Sequence, residues 1–290
     1  MEQGIEMNDD KILHMNENEV SDREDLYLYE NGVLKNKAKI QDAEEFSRYT
    51  KQYLAKKVEE LAERRVKGKY NFDHLCRIHK AIFGEIYSWA GIPRTIDISG
   101  RKDSLQNWSV EFSHYENIEI DIKAILEDMN RKKRKKMSMA ERMAHHQLIC
   151  GDSSKNWEEM SIAERIEDFS RCMALLWKVH PFRAGNTATM IVFCCDFAEA
   201  HGFGIDRDYF VRHIEDIQKS LAEAAIRING IENTVYLRHF MKLGMDRWEE
   251  QRRIQDNAIP TRTSSAWSAH VKSMRTDRPI RNGTEEEILK

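Results

Sequence analysis

The sequence contains few of the residues that interrupt regular secondary structure. Only 4 prolines and 13 glycines occur among 290 residues, whereas charged residues make up 33% of the chain. Because proline and glycine break helices, their scarcity favours long helices over short strands. We therefore predict an all-α fold. The hydrophobic content of 41% is sufficient for a sizeable core.

Long apolar runs and a strong excess of one charge are also missing. No apolar run approaches the roughly 20 residues that span a bilayer, and the N-terminus is acidic and polar, unlike a signal peptide. The formal net charge of −3 argues against a chain that binds nucleic acid by its overall charge. We interpret the basic run at residues 131–136 as a solvated helix end or loop, since no aromatic side chains accompany it. We expect a cytoplasmic protein that contacts neither membrane nor nucleic acid.

Cysteine is used sparingly and without a metal-binding or redox pattern. The chain has 5 cysteines and no CxxC pair, and the adjacent Cys194 and Cys195 lie in an apolar stretch. In such surroundings cysteine behaves as a small hydrophobic residue. We therefore assign the cysteines to the core and give them no chemistry.

Apolar residues recur at helical spacing through most of residues 42–249. Asp42 and the capping box Ser161–Glu164 indicate two helix starts, and Pro181 indicates a helix end. The segment 187–201 is apolar on nearly all sides, which predicts a buried central helix capped by Asn186 or Thr187. The predicted helices cover about 42–68, 71–90, 114–130, 161–180, 187–201, 207–228 and 232–249.

One short segment predicts β-structure. Residues 94–99 alternate like a strand and residues 100–103 have the composition of a turn, which predicts a small β-hairpin as the only sheet. Outside the helical region, the two ends of the chain are polar and aperiodic. We therefore predict a flexible arm at 1–25, one domain at 26–250, and a polar tail at 251–290 that is disordered or loosely docked.

The segment with the clearest chemical pattern is VHPFRAGNTATM, residues 179–190. A helix ending at His180 is followed by a tight loop and a second helix start, where unpaired N–H groups and the helix dipole attract anions. Gly185 permits close backbone approach to a phosphate, and Asn186 can cap the helix or add an amide donor. Histidine accepts protons near neutral pH. The pattern indicates base-assisted attack on phosphorus, although a structural histidine and a common Gly-Asn helix start would look the same.

The stretch HPFRAGN at residues 180–186 resembles the signature of the Fic (Fic/Doc) family. That signature usually consists of His-Pro-Phe, any residue, an acid, Gly-Asn, one more residue and Arg. Three other segments resemble the family in the right order, namely its N-terminal segment (32–40), its second helix and turn (72–95) and its target-docking flap (95–103). The resemblance covers about residues 25–248 and implies an all-α Fic-fold bundle around a buried central helix, with one hairpin as the flap.

The resemblance also implies an activity, that of a protein adenylyltransferase. His180 would deprotonate a Ser, Thr or Tyr hydroxyl of a target protein, and that hydroxyl would attack the α-phosphate of ATP or another nucleotide co-substrate. The other implied positions are Gly185, Asn186, Thr187 and Arg183 for the phosphates, Pro181 and Phe182 for the loop structure, and Ser99, Gly100, Arg101 and Lys102 for the flap, which would hold the target by strand addition.

The motif departs from the family pattern at charged positions. Ala184 replaces the acid that binds Mg²⁺, Ala188 replaces the Arg that contacts the outer phosphates, and Ile191 replaces a second Arg. Each such contact is typically worth roughly a hundredfold or more in rate, so Mg²⁺ lacks its usual ligand and ordinary transfer is weakened. Arg183 and Arg101 are candidates for replacement charge, but by position we interpret both as surface or flap residues.

Several interpretations stay open on the sequence. The chain could be a weakened adenylyltransferase, a transferase with another phosphate-linked donor, or a catalytically impaired module that binds nucleotide or a protein partner without turnover. Ala184 and Ala188 could be natural or engineered. The resemblance also leaves open an antitoxin-like regulator and a homodimer.

Overall fold

The computed structural model describes residues 26–101, 109–130, 155–228 and 231–258. A 3₁₀ turn at Tyr115–Asn117 precedes the third helix. Helices dominate these residues, which confirms the predicted all-α fold. In chain order the elements are α1 (Ala43–Glu63), α2 (Phe72–Phe83), β1 (Ser99–Arg101), β2 (Ser109–Glu111), α3 (Ile118–Asn130), α4 (Ile162–Val179), α5 (Asn186–Ala200), α6 (Arg207–Arg212), α7 (Ile214–Ala225), β3 (Arg227–Ile228), β4 (Ile231–Glu232) and α8 (Val235–Ala258).

Helix α5 lies at the centre of the bundle, as its apolar sequence predicts. Every residue from Asn186 to Ala198 is buried, and α2, α4, α6 and α7 pack around it. The Phe169 and Phe197 rings stack with their centroids 5.9 Å apart where α4 meets α5. A helix without a polar face is stable only in such a position, because any exposed side would leave apolar surface in water.

The helix starts at Asp42 and Ser161 are confirmed. Asp42 accepts a hydrogen bond from the backbone N–H of Glu45 at 2.8 Å, and Ser161 and Glu164 form the reciprocal capping box of α4. Helix α2 ends at Phe83, however, and not near Trp89. Gly84 forms its C-cap, and Lys37 from the N-terminal segment donates to the Gly84 carbonyl at 2.5 Å. A contact with a distant segment therefore helps set this boundary.

The predicted hairpin is present, but its strands begin later than expected. Ser99 pairs with Glu111 and Arg101 with Ser109 in an antiparallel register, so Gly100 and Arg101 belong to a strand and not to the turn. Lys102 lies outside the described residues. The expectation of a single sheet was wrong, because β3 and β4 form a second antiparallel pair. The predicted helix 207–228 is broken at His213 into α6 and α7.

The C-terminal helix α8 extends to Ala258, beyond the predicted end at 249. By its internal contacts the chain divides after Glu249, and residues 251–257 of the second unit are exposed. The division into 1–25, 26–250 and 251–290 stays a prediction, since residues 1–25 and 259–290 lie outside the described part. Among the described helices, none is both long enough and apolar enough to cross a membrane.

We expect the core around α5 to tolerate truncation poorly. Phe193 is fully buried on α5, so Phe193→Ala should lower the free energy of unfolding by about 3–5 kcal/mol through lost burial and a new cavity. Ile120 on α3 is 68% exposed, and Ile120→Ala should change it by less than about 0.5 kcal/mol. Urea denaturation of both variants tests this expectation. Equal losses would mean that α5 is not the centre of the core.

Candidate active site

The HPF loop, residues 180–185, connects α4 to α5 through two left-handed residues. His180 has φ 50° and Gly185 has φ 78°. The Asn186 side chain closes the loop from inside, accepting from the Phe182 N–H at 2.9 Å and donating to the Phe182 carbonyl at 2.7 Å. Asn186 therefore does not cap α5, which corrects that expectation, while its part in phosphate binding stays a prediction. The N-cap of α5 is Gly185, which has no side-chain cap.

The backbone at the start of α5 has the free N–H groups on which the predicted anion site depends. The first hydrogen bond of this helix runs from the Thr189 N–H to the Gly185 carbonyl at 3.1 Å. The N–H groups of Asn186, Thr187 and Ala188 therefore precede the helical ladder and lie at the positive end of its dipole. The Thr187 hydroxyl is already engaged, accepting from the Trp177 indole N–H at 3.0 Å. Thr187 thus offers its backbone N–H at the helix start, while its side chain joins α5 to α4.

His79 on α2 packs against the HPF loop and holds its backbone in place, a role that the sequence analysis missed. It is completely buried and stacks on Phe182 with ring centroids 3.9 Å apart. Its Nδ1 accepts from the Gly91 N–H at 2.8 Å, so Nε2 carries the proton and donates to the Ala184 carbonyl at 2.9 Å. Burial lowers the pKa of His79 to about 4, and the Ala184 carbonyl opposes this shift. A buried neutral imidazole therefore fixes the backbone at Ala184.

Arg94 supports the same loop from the side of the hairpin, and its role was also missed. The residue is 2% exposed, and burial lowers the pKa of Arg94 to about 10, against the opposing effect of Asp97. Its guanidinium therefore stays charged at neutral pH. Its side chain donates to the carbonyls of His180 (2.9 Å), Ile96 (2.6 Å), Ser113 and Val179 (3.5 Å), and its backbone N–H donates to the Pro181 carbonyl (2.9 Å).

The imidazole of His180 is held between two segments. It stacks on Phe112, the residue after β2, with centroids 3.9 Å apart and planes 18° from parallel. Its Nδ1 lies 3.2 Å from the Trp177 carbonyl, which can only accept, so Nε2 is left as the proton acceptor. Burial lowers the pKa of His180 to about 3, the Trp177 carbonyl opposes this, and the charges of Arg94 and Arg183 lower the pKa further. The ring is therefore neutral at physiological pH.

Arg183 is buried, with only 8% of its surface exposed. Its interpretation as a surface residue was therefore wrong. Burial raises the pKa of Tyr87 and lowers the pKa of Arg94, and the nearby charge of Arg183 acts to lower both. The side chain of Arg101 lies outside the described part, as does Lys102. The described backbone places Ser99, Gly100 and Arg101 in β1.

The altered motif positions add no charge to this site. Ala184 is half-buried, Ala188 is 5% exposed, and Ile191 is fully buried in the core. Among the described residues, no group of three His, Cys, Asp or Glu side chains could hold a metal ion. The residues present at the acid position therefore do not fit Mg²⁺. What the geometry does offer is a neutral histidine, a helix N-terminus and two buried guanidinium groups around one loop.

A substitution at Gly185 tests how tightly the HPF loop is packed. A Cβ atom there would lie 2.4 Å from Cε2 of Phe83, and its φ of 78° also disfavours alanine. Gly32 has a similar φ of 81° but nothing within 4 Å. We expect Gly32→Ala to lower the free energy of unfolding by about 1 kcal/mol and Gly185→Ala by about 1–3 kcal/mol more, because of overpacking. Chemical denaturation measures both, and equal losses would contradict the close packing.

The burial of His79 predicts that the free energy of unfolding depends on pH. Its pKa of about 4 in the folded chain lies below the ordinary histidine pKa of 6.5, so the unfolded chain binds more protons and stability falls as pH drops from about 6.5 towards 4. Full protonation of this group would cost about 3 kcal/mol at most. We expect His79→Gln to flatten the profile of unfolding free energy between pH 4.5 and 8, whereas His239→Gln, at an exposed position, leaves it unchanged. An unaltered slope in His79→Gln would contradict the assignment.

Comparison with known proteins identifies the fold and the motif. Residues 69–198 match the model of the Fic/DOC family. The chain is 28% identical over 225 residues to the protein adenylyltransferase VbhT of Bartonella schoenbuchensis, a match that covers 75% of this chain and 41% of that protein. It is 25% identical over 174 residues to the probable protein adenylyltransferase y4lH of Sinorhizobium fredii, covering 60% of this chain and 74% of that one. The chain therefore spans less than half the length of VbhT.

Solved structures agree on the fold. The N-terminal Fic domain of a putative cell filamentation protein from Bartonella quintana, solved with bound ADP, superposes with a TM-score of 0.55 at 20% identity, covering 75% of this chain and 93% of that one. The matched residues 69–198 contain α2, the hairpin, the HPF loop and nearly all of α5. Residues 69–198 therefore match a Fic domain, and the chain is similar to proteins of the Fic/DOC family in both sequence and fold.

Proposed function

We propose that this chain transfers AMP, or a related phosphate-linked group, from a nucleotide to a Ser, Thr or Tyr hydroxyl of a target protein. The observation that supports this most strongly is the HPF loop itself, which joins His180 to the start of α5 and contains the buried Arg183. Positive charge and free N–H groups suit a polyphosphate. The neutral imidazole suits a base. Two relatives that carry the name of protein adenylyltransferase support the same activity.

The proposed step transfers AMP from ATP to the target hydroxyl and releases pyrophosphate. The target hydroxyl oxygen forms a bond to the α-phosphorus of ATP, and the bond from that phosphorus to the bridging oxygen of the β-phosphate breaks. Pyrophosphate leaves, and the hydroxyl proton passes to Nε2 of His180. The backbone N–H groups of Asn186 and Thr187 would face the phosphate oxygens, where negative charge is greatest.

The low basicity of His180 is expected to change when nucleotide binds. Its pKa of about 3 arises from burial and, in smaller part, from the positive charges of Arg94 and Arg183. Negative phosphates beside the ring would favour the protonated imidazole and raise the pKa towards neutrality. In this proposal the base gains strength only when its substrate is bound. Ala184, at the acid position, has no side-chain oxygen with which to bind Mg²⁺.

The flap supports a role in docking the target. Strand β1, Ser99–Arg101, pairs with β2 along one edge. The other edge of a two-stranded ribbon can accept an extended segment through main-chain hydrogen bonds. Phe112 joins this hairpin to the His180 ring. A hydroxyl residue on a docked strand would therefore lie above the proposed base.

A second candidate function is binding without turnover. It is favoured by the stack of Phe112 on His180 at 3.9 Å and by the alanines at positions 184 and 188. A histidine covered by Phe112, with no charged side chain at position 184 or 188, suits a module that holds nucleotide or a protein partner. The cytoplasmic location, the antitoxin-like regulator and the homodimer stay predictions from the sequence.

Intact-mass spectrometry with a panel of nucleoside triphosphates and Mg²⁺ separates the two functions. If the chain is a transferase, it or an added target gains the mass of a nucleotide monophosphate. His180→Ala should abolish that gain, a loss of about a hundredfold or more, and His239→Ala, on the exposed side of α8, should not. The mass itself identifies the donor.

Variants that restore the motif provide the control for an inactive result. Ala184 is partly exposed, so Ala184→Glu is accommodated readily, whereas Ala188 is 5% exposed and Ala188→Arg needs a check of folding by melting temperature. Activity only in the folded Ala184→Glu/Ala188→Arg variant would reject transfer by the chain as it stands and favour the binding module. Activity in the unrestored chain that survives His180→Ala would reject His180 as the base.

A further inference from the structure

One buried side chain connects the flap to the HPF loop. The Arg94 guanidinium donates to Ile96 and Ser113, which lie before β1 and after β2, and also to Val179 and His180 at the end of α4. These four carbonyls belong to two segments, which the ring of Phe112 also brings together by stacking on His180. Arg94 therefore lies where the residues flanking β1 and β2 meet the residue proposed as the base.

The end of α4 has a backbone conformation that needs such support. His180 is one of three residues other than glycine with positive φ in the described part of the chain, and side chains with a Cβ atom disfavour this region. Its carbonyl is fixed by Nε of Arg94 at 2.9 Å, and the next carbonyl, of Pro181, accepts from the Arg94 N–H at 2.9 Å. Both the side chain and the backbone of Arg94 thus hold the loop in this conformation.

We propose that Arg94 is the positioning residue that fixes His180 beneath the flap, so that the hairpin and the base move as one unit. Its consequence for catalysis rests on the proposed transfer function, but the positioning itself does not. Arg94 reaches the base only through backbone carbonyls. It is therefore distinct from the groups proposed to meet the nucleotide.

The geometry requires an arginine at this position. A planar guanidinium presents donors in several fixed directions, and here Nε, Nη1 and Nη2 each face a different carbonyl. A lysine ammonium carries the same charge at one point and cannot reach acceptors on both the flap and the loop at once. The salt bridge to Asp97, at 3.5 Å, adds a further contact at the base of the hairpin.

Arg94→Lys separates positioning from charge. We would measure the pKa of His180 by NMR of the histidine ring and the amide exchange of β1 and β2 by mass spectrometry, in the wild type, Arg94→Lys and Arg94→Met. The control is Arg64→Lys, at an exposed residue after α1. The expected result is a His180 pKa raised by about one unit or more and faster exchange in both strands for Arg94→Lys, because the ring loses its buried position while the positive charge stays.

A purely electrostatic or purely structural role gives other results. If Arg94→Met raises the pKa of His180 and Arg94→Lys leaves both the pKa and the exchange rates at wild-type values, Arg94 acts only by its charge and the proposal is overturned. A lower melting temperature in Arg94→Lys with unchanged pKa and exchange would overturn it as well. If Arg94→Met does not fold, Arg94→Lys decides alone, since it keeps the charge and most of the volume.

The transfer assay distinguishes failure of this inference from failure of the proposed function. In an active chain, Arg94→Lys should lower kcat about tenfold or more with a smaller change in KM for nucleotide, because the base and not the phosphate site is displaced. A wild-type chain without transfer, together with a shifted His180 pKa in Arg94→Lys, would reject the transfer function and retain the positioning. Transfer with an unchanged kcat in Arg94→Lys would reject the positioning.

Discussion

The arrangement of the site depends on one buried positive charge. A guanidinium removed from water must be surrounded by acceptors, since an unpaired buried charge costs several kcal/mol. Arg94 finds those acceptors at the carbonyl end of α4, where Val179 and His180 have lost their partners in the helix. The negative end of the helix dipole favours a cation at the same place. The same hydrogen bonds therefore satisfy both the buried guanidinium and the free carbonyls of α4. They also fix the turn after α4 on which the HPF loop is built.

The sequence predicted the helices whose signals are local. The capping box at Ser161 and the apolar run of α5 lie within single elements, and both predictions were confirmed. Boundaries set by distant contacts were missed. The bond from Lys37 to the end of α2 joins residues 47 positions apart. The break between α6 and α7 and the β3–β4 pair also escaped the periodicity, because a helical pattern of side chains does not reveal where the backbone turns.

The same distinction applies to the site. His180, Gly185 and the helix start that follows are contiguous, so their motif predicted the anion site. The residues that hold them are 86 and 105 positions away, at Arg94 and His79, and only the fold brings them together. Asn186 was misassigned for a different reason. Its side chain can cap a helix, bind a ligand or bond to nearby backbone, and the carbonyl and N–H of Phe182, four residues away, compete successfully for it.

The altered motif changes the balance between binding and chemistry more than it changes the total charge. Relative to the family pattern, Ala184 removes one negative charge, and Ala188 and Ile191 each remove one positive charge, so the site has one positive charge fewer. Arg183 stays buried in the HPF loop, and in the proposed function its charge and the N–H groups at the start of α5 would still attract an anion. The lost groups are those that would hold a metal and the outer phosphates, and these matter most for the departing group. In the proposed function, a site altered in this way would keep its affinity for phosphate better than its rate of transfer, and any remaining turnover would depend on how far a bound phosphate restores the basicity of His180.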